Sequence, residues 1–457
     1  MASILPILVS LCGIYLFVKL RGFVLLHPIR VIRGSRALIS DGAGFRATAL
    51  AMAGTLGVGN ILGVCVGIGV GGAGALFWLW ISSLLSAVIK YCEVTLLKDL
   101  QLRGVDCKRG FASCIKVYLG AGSGVISAVY SAVVVALSLV MGSALQGLAV
   151  VESAGSVFNT PPWLIGVLTS MLVLFGIFGG ADRIERITAV VIPMATIVYI
   201  ILTLSVIAVN FRRLPSVLST IASDAFELRA GVGGLIAFIT SAPLREGFCR
   251  GILSNEAGAG TSSLAHSRSA FADPCTAGIM GILEVFFDTS LLCTLTGLAV
   301  LTGGDGSSSG LGLIIGAVGS SLSPALIPVL MLLVFAFAYS TVICWFYYGE
   351  ASLGGASSLC RRSFSVVFFG FLTFGYGIGR SRLIFITDCL MLFASVPVLY
   401  TLIKGSDRVL ALSESVGLVG RVKLFGRNRI KGNGSLRGSD GQAGPSSRQI
   451  PPRSARE

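Results

Sequence analysis

The chain has 457 residues, of which 54% are hydrophobic and only 12% charged, with a formal net charge of +14 and a mean hydropathy of +0.88. A soluble domain carries roughly twice that share of charge, so the composition excludes a soluble globular protein, and the positive balance is that of a membrane protein's loops and tail, not of a nucleic-acid binder. The 11 cysteines show no Cys-x-x-Cys spacing and the 2 histidines, His27 and His266, lie far apart, which argues against a metal site.

Apolar runs of about 18 or more residues with few charges read as membrane-crossing helices. The first covers 4–26. It lacks a basic leader and carries Lys19 and Arg21 at its far end, so it reads as a retained span with its N-terminus outside, not as a cleaved signal peptide. A second run, 46–71, is interrupted by Gly57-Val58-Gly59-Asn60-Ile61, and spans at 74–99, 123–147, 162–180 and 185–210 follow. The next, 229–250, runs directly into Gly251-Ile252-Leu253-Ser254-Asn255-Glu256-Ala257-Gly258. Spans at 275–302, 325–350, 363–379 and 383–404 complete an all-α polytopic membrane protein of 11 helices. The tail, 405–457, is basic, and its stretch 425–456, rich in Gly, Ser, Arg and Pro, reads as disordered.

Loop charges orient the chain. Lys19, Arg21, Arg30, Arg33, Arg36 and Arg46 precede the second span, and Lys98, Arg103, Lys108, Arg109 and Lys116 follow the third. Arg361 and Arg362 follow the ninth, whereas loops 148–161 and 303–324 hold no Lys or Arg. This alternation puts the N-terminus outside and the C-terminus in the cytoplasm of a cell (inner or plasma) membrane; Arg212, Arg213, Arg229, Arg380 and Arg382 are exceptions on outer loops.

Setting the first span aside leaves two sets of five, each opened by an interrupted helix. Residues 1–45 form the N-terminal span and a basic cytoplasmic loop, 46–211 one repeat, 212–404 a second, inverted repeat, and 405–457 the tail. Backbone that leaves the helix inside a membrane must line a cavity or be buried in protein. Interruptions at matching places in two halves point to a transporter's binding site. At the first, Gly57, Gly59 and Asn60 weaken the helix, so amides can face an anion while freed carbonyls ligate a cation. Gly59, Gly63, Gly67 and Gly71 recur every four residues and read as a close-packing stripe. At the second, Ser254, Asn255 and Glu256 resemble a helix cap with an acid in the first turn. Charges inside the apolar runs are costly and point to function or to a buried partner. Glu284 and Asp288 lie four apart on one helix face, and Asp288 reads equally as a coupling group or a structural strut. Lys90 and Glu93 read as a surface-facing ion pair, Glu350 and Asp388 as helix-end residues, and Arg245, Glu246 and Arg250 as a gate beside the second interruption.

Several of these segments carry a family resemblance. Gly57 through Val64, Gly71-Gly72-Ala73-Gly74-Ala75-Leu76-Phe77-Trp78-Leu79-Trp80, Arg250 through Gly258, Phe287-Asp288-Thr289, and Ser340-Thr341 through Trp345 to Tyr348-Gly349-Glu350 resemble the alanine/glycine:cation symporter family. The resemblance spans about residues 45–404. It implies the LeuT-like five-plus-five inverted-repeat fold of the amino-acid/polyamine/cation superfamily, with one extra N-terminal helix, and Na⁺-driven, sometimes H⁺-driven, uptake of a small neutral amino acid such as alanine or glycine. By the same resemblance, Gly57, Val58 and Gly59 would face the substrate carboxylate, Gln146 its ammonium group, and Trp345 its side chain. Asn60, Leu253, Ser254 and Asn255 would complete the pocket. Gly57, Asn60, Ser340 and Thr341 would hold Na⁺. From their charge and position at the breaks, and not from the resemblance, Asp288, Glu256 and Arg250 read as candidate coupling or gating residues. The chain departs from the family pattern at Val58 for Thr, Leu253 for Phe, Ser143 and Leu148 for Asn, and Ala73 for Pro. Val58 removes a hydroxyl from the carboxylate cradle and Leu253 opens space. The alternatives are another amino acid substrate, H⁺ coupling, or a non-transporting relative. No span presents the charge rings or filter repeat of a channel, and the chain does not read as an enzyme.

Overall fold

The computed structural model describes residues 4–23, 42–226, 241–269, 271–304, 306 and 308–419. The first half of the expected span 229–250, Arg229, the loop arginines 30, 33 and 36, and the tail beyond 419 lie outside the described residues. Among the described residues the structure is helical, without strands. In chain order the helices are α1 (Ile4–Lys19), α2 (Gly42–Thr55), α3 (Leu62–Gly71), α4 (Gly74–Leu102) and α5 (Phe111–Leu119). Then come α6 (Ser123–Gly155), α7 (Pro162–Ile177), α8 (Gly180–Val209), α9 (Leu214–Ala225), α10 (Ala242–Asn255) and α11 (Ser263–His266). The last five are α12 (Pro274–Gly303), α13 (Leu311–Ser321), α14 (Pro324–Leu353), α15 (Ser358–Phe374) and α16 (Arg380–Ser415).

Among the described residues 6 helices, α4, α6, α8, α12, α14 and α16, are long and apolar enough to cross a membrane. The pair α2/α3 makes a seventh, bent by 55° at its break, and α1, α7 and α13 are shorter apolar helices. Their outward faces are apolar, with Leu11, Val125, Leu172, Phe175, Met194 and Phe393 exposed, whereas Lys90, Glu93, Glu284 and Asp288 are buried. This is the arrangement a hydrocarbon solvent selects, since polar groups there must find partners inside the protein. Proline opens several helices at the position where its missing N–H costs nothing, as at Pro162 and Pro274. Asp273 caps α12 by accepting the Thr276 amide at 2.6 Å.

α4 packs along both α10 and α12, α14 packs on α6, α8 and α2, and α1 lies between α4 and α16. At one end of the bundle Lys19–Asp407 (2.5 Å), Arg21–Glu414 (2.9 Å) and Arg408–Asp99 (2.6 Å) tie these helices together. Those pairs, with Tyr91 Oη against Ser413 Oγ at 2.8 Å, carry α16 to Ser415, past the expected end at 404. At the other end Arg380, an exception to the loop-charge pattern, pairs with Glu152 at 2.9 Å.

Three stretches expected to be loops hold helices: α5, α9 and α13. All three are shorter than a span, and α5 and α9 are amphipathic segments that lie on neighbouring helices, which a search for long apolar runs passes over. α6 and α12 each widen into a π-helical turn, at Val140–Ala144 and Phe286–Cys293. The glycine stripe of α3 faces α10: a Cβ on Gly67 would stand 3.0 Å from Arg250 Cγ, and one on Gly71 3.1 Å from the Ala242 carbonyl, while Gly63 meets nothing.

Candidate substrate and cation site

α2 stops at Thr55 because Leu56 and Gly57 leave the helical path; Gly57 is extended, at φ −113° and ψ −164°. Val58–Asn60 makes one 3₁₀ turn before α3 resumes. The carbonyls freed by this break are met by donors on α14. Thr341 Oγ1 donates to Ala53 O at 2.9 Å and faces Leu56 O at 3.4 Å, while Trp345 Nε1 donates to Gly54 O at 3.2 Å. Cys344 Sγ reaches Leu50 O at 3.2 Å. Gln146, just after the π turn of α6, spans the other side: its Nε2 donates to Met141 O at 3.2 Å and its Oε1 accepts the Val58 amide at 3.2 Å. Gly57 is required by crowding, since a Cβ there would stand 2.7 Å from Thr341 Oγ1 and 3.3 Å from Gln146 Oε1. Ser340 differs from its neighbour: its hydroxyl bonds Ala336 O (2.8 Å) and Phe337 O (3.0 Å) in its own helix, so of the two only Thr341 bonds the break.

α10 ends at Asn255, and Glu256 turns the chain in the left-handed conformation, φ 55° and ψ 20°. Asn255 stitches this corner, its Oδ1 accepting the Ala257 amide at 3.0 Å and its Nδ2 donating to Thr289 Oγ1 at 3.1 Å. Asp288, set on the π turn of α12, joins the two breaks. Ser254 Oγ and Thr289 Oγ1 each donate to its Oδ2 at 2.6 Å. Asn60 Nδ2, from the first break, lies 2.5 Å from its Oδ1 and 3.1 Å from Ser254 Oγ. Asn60 Oδ1 keeps no protein partner. Every member is at most 1% exposed. Val58, Leu253 and Trp345 are buried in the same core cluster and supply apolar wall.

One turn before Ser254, Arg250 pairs with Asp388 of α16 at 2.6 Å, with Glu246 Oε2 at 3.5 Å from its Nε. Arg250 and Asp388 are 3% and 12% exposed, so this pair closes α10 onto α16. Arg245 pairs with its neighbour Glu246, and Glu350 faces Arg361 at 3.8 Å on the surface.

The pair Lys90 and Glu93 must be corrected. Both are fully buried, not surface-facing, and each is tied to the second break. Lys90 Nζ donates to Ser262 Oγ at 2.7 Å and lies 3.5 Å from Glu284. Glu93 Oε1 accepts the Gly258 amide at 2.7 Å. Glu284 also accepts from Ser262 at 2.7 Å and lies 3.0 Å from His266 Nε2. It therefore faces α11 while Asp288 faces α10, because the π turn begins between them. Two ionisable groups in the apolar run Val88–Val94 were the available signal, since charge inside a membrane is costly unless partnered. Past α11, Arg268 pairs with Glu185 and with Asp182 (2.5 Å), holding the end of the segment to α8.

Chemically, the site offers amides and carbonyls of broken helices, the hydroxyls of Thr341, Ser254 and Thr289, the carboxamides of Gln146, Asn60 and Asn255, and the Asp288 carboxylate. Oxygen donors of this kind suit a hard cation, and amides at a helix break suit a carboxylate.

The family model described as the sodium:alanine symporter family matches residues 1–414. A sodium/alanine symporter of Methanococcus maripaludis, AgcS, is 31% identical over 75% of this chain and 79% of its own length. The amino-acid carrier protein AlsT of Bacillus subtilis is 30% identical over 75% of this chain and 74% of its own. Among solved structures, MhsT in complex with L-phenylalanine superposes with a TM-score of 0.57, covering 81% of this chain and 89% of that one at 14% identity. A likeness at that identity speaks to the fold, the LeuT-like transporter fold expected from the sequence.

Proposed function

The chain belongs to the sodium:alanine symporter family, a family of transporters and not of enzymes, and from that premise we propose that it carries a small neutral amino acid, such as alanine or glycine, across the cell membrane together with Na⁺ by alternating access. The observation that carries this reading is the junction of the two helix breaks, where Asn60 of one meets Ser254 of the other on Asp288. Backbone freed at membrane depth from two helices, at one buried point, is the arrangement that supports transport. We assign α1 as an extra span. The pair α2/α3 with α4, α6, α7 and α8 forms one repeat within 46–211, and α10/α11 with α12, α14, α15 and α16 the inverted repeat within 212–404. The N-terminus lies outside.

The geometry suggests how substrate enters. The Val58 amide is held by Gln146 Oε1. An amino acid carboxylate takes that amide, with those of Gly57 and Gly59, and the released Gln146 carbonyl turns to the ammonium group. Trp345, Val58 and Leu253 enclose the side chain, and Asn255 keeps the corner beside Ser254 in shape. Na⁺ is drawn by the carbonyls of the first break, with Thr341 turning its hydroxyl oxygen to the ion and Gly57 and Asn60 completing the oxygen set. Ser340 enters that set only if its hydroxyl leaves its own helix. Ion binding thereby ties α14 to the break, and the ion's unequal affinity for the two states sets the direction of the shift. Arg250 with Asp388 gates one side, and Asp288 and Glu256 couple ion occupancy to the breaks.

Uptake of labelled alanine, glycine, serine and leucine into proteoliposomes, under an Na⁺ gradient and then an H⁺ gradient, tests the reading. Na⁺-dependent alanine or glycine uptake supports it. Leucine in preference to alanine selects the second reading, a larger neutral substrate, which Leu253 favours by leaving space. No gradient-driven uptake of any of the four by folded protein would sink transport of this class.

A further inference from the structure

The buried charges around the second break exceed what the proposed substrate and Na⁺ contacts use. Glu93, Glu256 and Glu284 are each 0% exposed, and so is Lys90, with His266 at 1%. Lys90 faces all three carboxylates electrostatically. Asp288, also 0% exposed and facing Lys90, makes a fourth carboxylate, held by the Ser254, Thr289 and Asn60 donors. Even counting His266 as charged, two positive groups stand against four carboxylates, so a fully ionised cluster holds uncompensated buried negative charge. Burying such a charge is costly enough that the group takes a proton instead.

The hydrogen bonds indicate which one. Glu284 has Lys90, His266 and Ser262. Glu93 accepts a backbone amide, from Gly258, on Oε1, which favours its ionised form. Its buried Oε2, like Glu256 Oε1, has no protein partner; what sets Glu256 apart is that its one donor is a hydroxyl and not an amide. Glu256 has only the Thr261 hydroxyl, at 2.5 Å from Oε2, and its Oε1 has no protein partner although fully buried. The groups facing it are Lys90 from α4, Tyr130 from α6, Glu284 and Asp288 from α12, and Cys344 and Tyr348 from α14. Lys90 is the only cation among them, and Glu284 already engages it. Glu256 also holds a positive φ, which among the described residues only Arg21 shares outside glycine. Among the described residues no three His, Cys, Asp or Glu side chains converge to hold a metal ion.

We propose that Glu256 is a proton-binding site at the second helix break, its proton keeping the segment Thr261–Ser269 seated on Lys90 and Glu284. Loss of the proton adds a further buried negative charge to those of Glu93, Glu284 and Asp288 and loosens that segment. Resting on the transport reading above only for its consequence, the site makes the inner half of the break respond to pH.

Infrared difference spectra of the purified full-length protein in lipid, recorded between acid and alkaline pH, read the proton directly and need no transport. The expected result is a protonated-carboxyl band that is lost in Glu256→Gln and retained in Glu93→Gln and Glu284→Gln. Thr261→Val, which removes the hydroxyl partner, shifts the same band and keeps the test valid where Glu256→Gln does not fold. A band that survives Glu256→Gln, or that Thr261→Val leaves unmoved, overturns the proposal. So does a wild-type spectrum with no protonated-carboxyl band. Failure of amino acid uptake leaves this measurement unaffected, so the two readings fail separately.

Discussion

The two helix breaks solve one problem with different chemistry. At the first break neutral groups meet the freed backbone: Thr341 and Trp345 on the Ala53 and Gly54 carbonyls, and Gln146 on the Val58 amide. At Glu256–Ser262 charged partners join neutral ones, with Glu93 on the Gly258 amide and Lys90 on the Ser262 hydroxyl beside Asn255 on the Ala257 amide and Tyr130 on the Ala259 carbonyl. Neutral donors on carbonyls are exchangeable, because their departure leaves no buried charge unpaired. A buried ionic cluster is not, since removing one member strands another charge. On the proposed transport reading, the first break exchanges ligands and the second holds a segment in place.

Substitutions can break or sharpen that contrast. The largest effect is expected from Lys90→Met, which leaves Glu284 without its lysine and should cost about 3–5 kcal/mol of stability. A thermal melt of the purified protein measures it, and adding Glu284→Gln should recover most of the loss. If Lys90→Met melts like wild type, the charged break is no more tightly held than the neutral one. Next comes Thr341→Val, which strips the donor from the Ala53 and Leu56 carbonyls. Its stability cost is about 1–3 kcal/mol, and the Na⁺ concentration for half-maximal uptake should rise about tenfold, equivalent to ~1.4 kcal/mol of ion binding. Unchanged Na⁺ dependence would place the ion elsewhere. A smaller effect is expected from Val58→Thr, whose added hydroxyl should tighten alanine binding by about 1 kcal/mol, read as a lower KM for uptake. A KM that stays or rises would remove position 58 from the carboxylate cradle. The smallest is Ser340→Ala, expected to stay within about 1 kcal/mol because its hydroxyl serves only its own helix. Ser340→Ala shifting Na⁺ dependence as far as Thr341→Val would show that the observed separation of the two hydroxyls does not persist when the ion binds.

Much of this was legible from residues alone. Gly57-Val58-Gly59-Asn60 marked one break and Ser254-Asn255-Glu256 the other, because glycine, asparagine and capping residues conflict with helix where the apolar pattern demands it. The spans were legible for the reason that hydropathy works at all: lipid selects apolar surface over about 20 residues. Short helices such as α5 and α9 were not, because each is amphipathic and shorter than that window.

Pairings across the bundle were beyond the sequence. Nothing in the order of residues says that Lys90 meets Glu284 rather than Glu93, or that Arg250 meets Asp388 of a helix far along the chain. Nor does spacing reveal that a π turn starting at Phe286 separates Glu284 from Asp288, which a regular helix would place on one face. Composition and local pattern determined the membrane class, most of the spans and where helices break, since those depend on each residue's own preference for lipid, water or helix. The tertiary structure decided which buried groups share a charge and which hydroxyl reaches a carbonyl, since those depend on distances between helices that local preference does not contain.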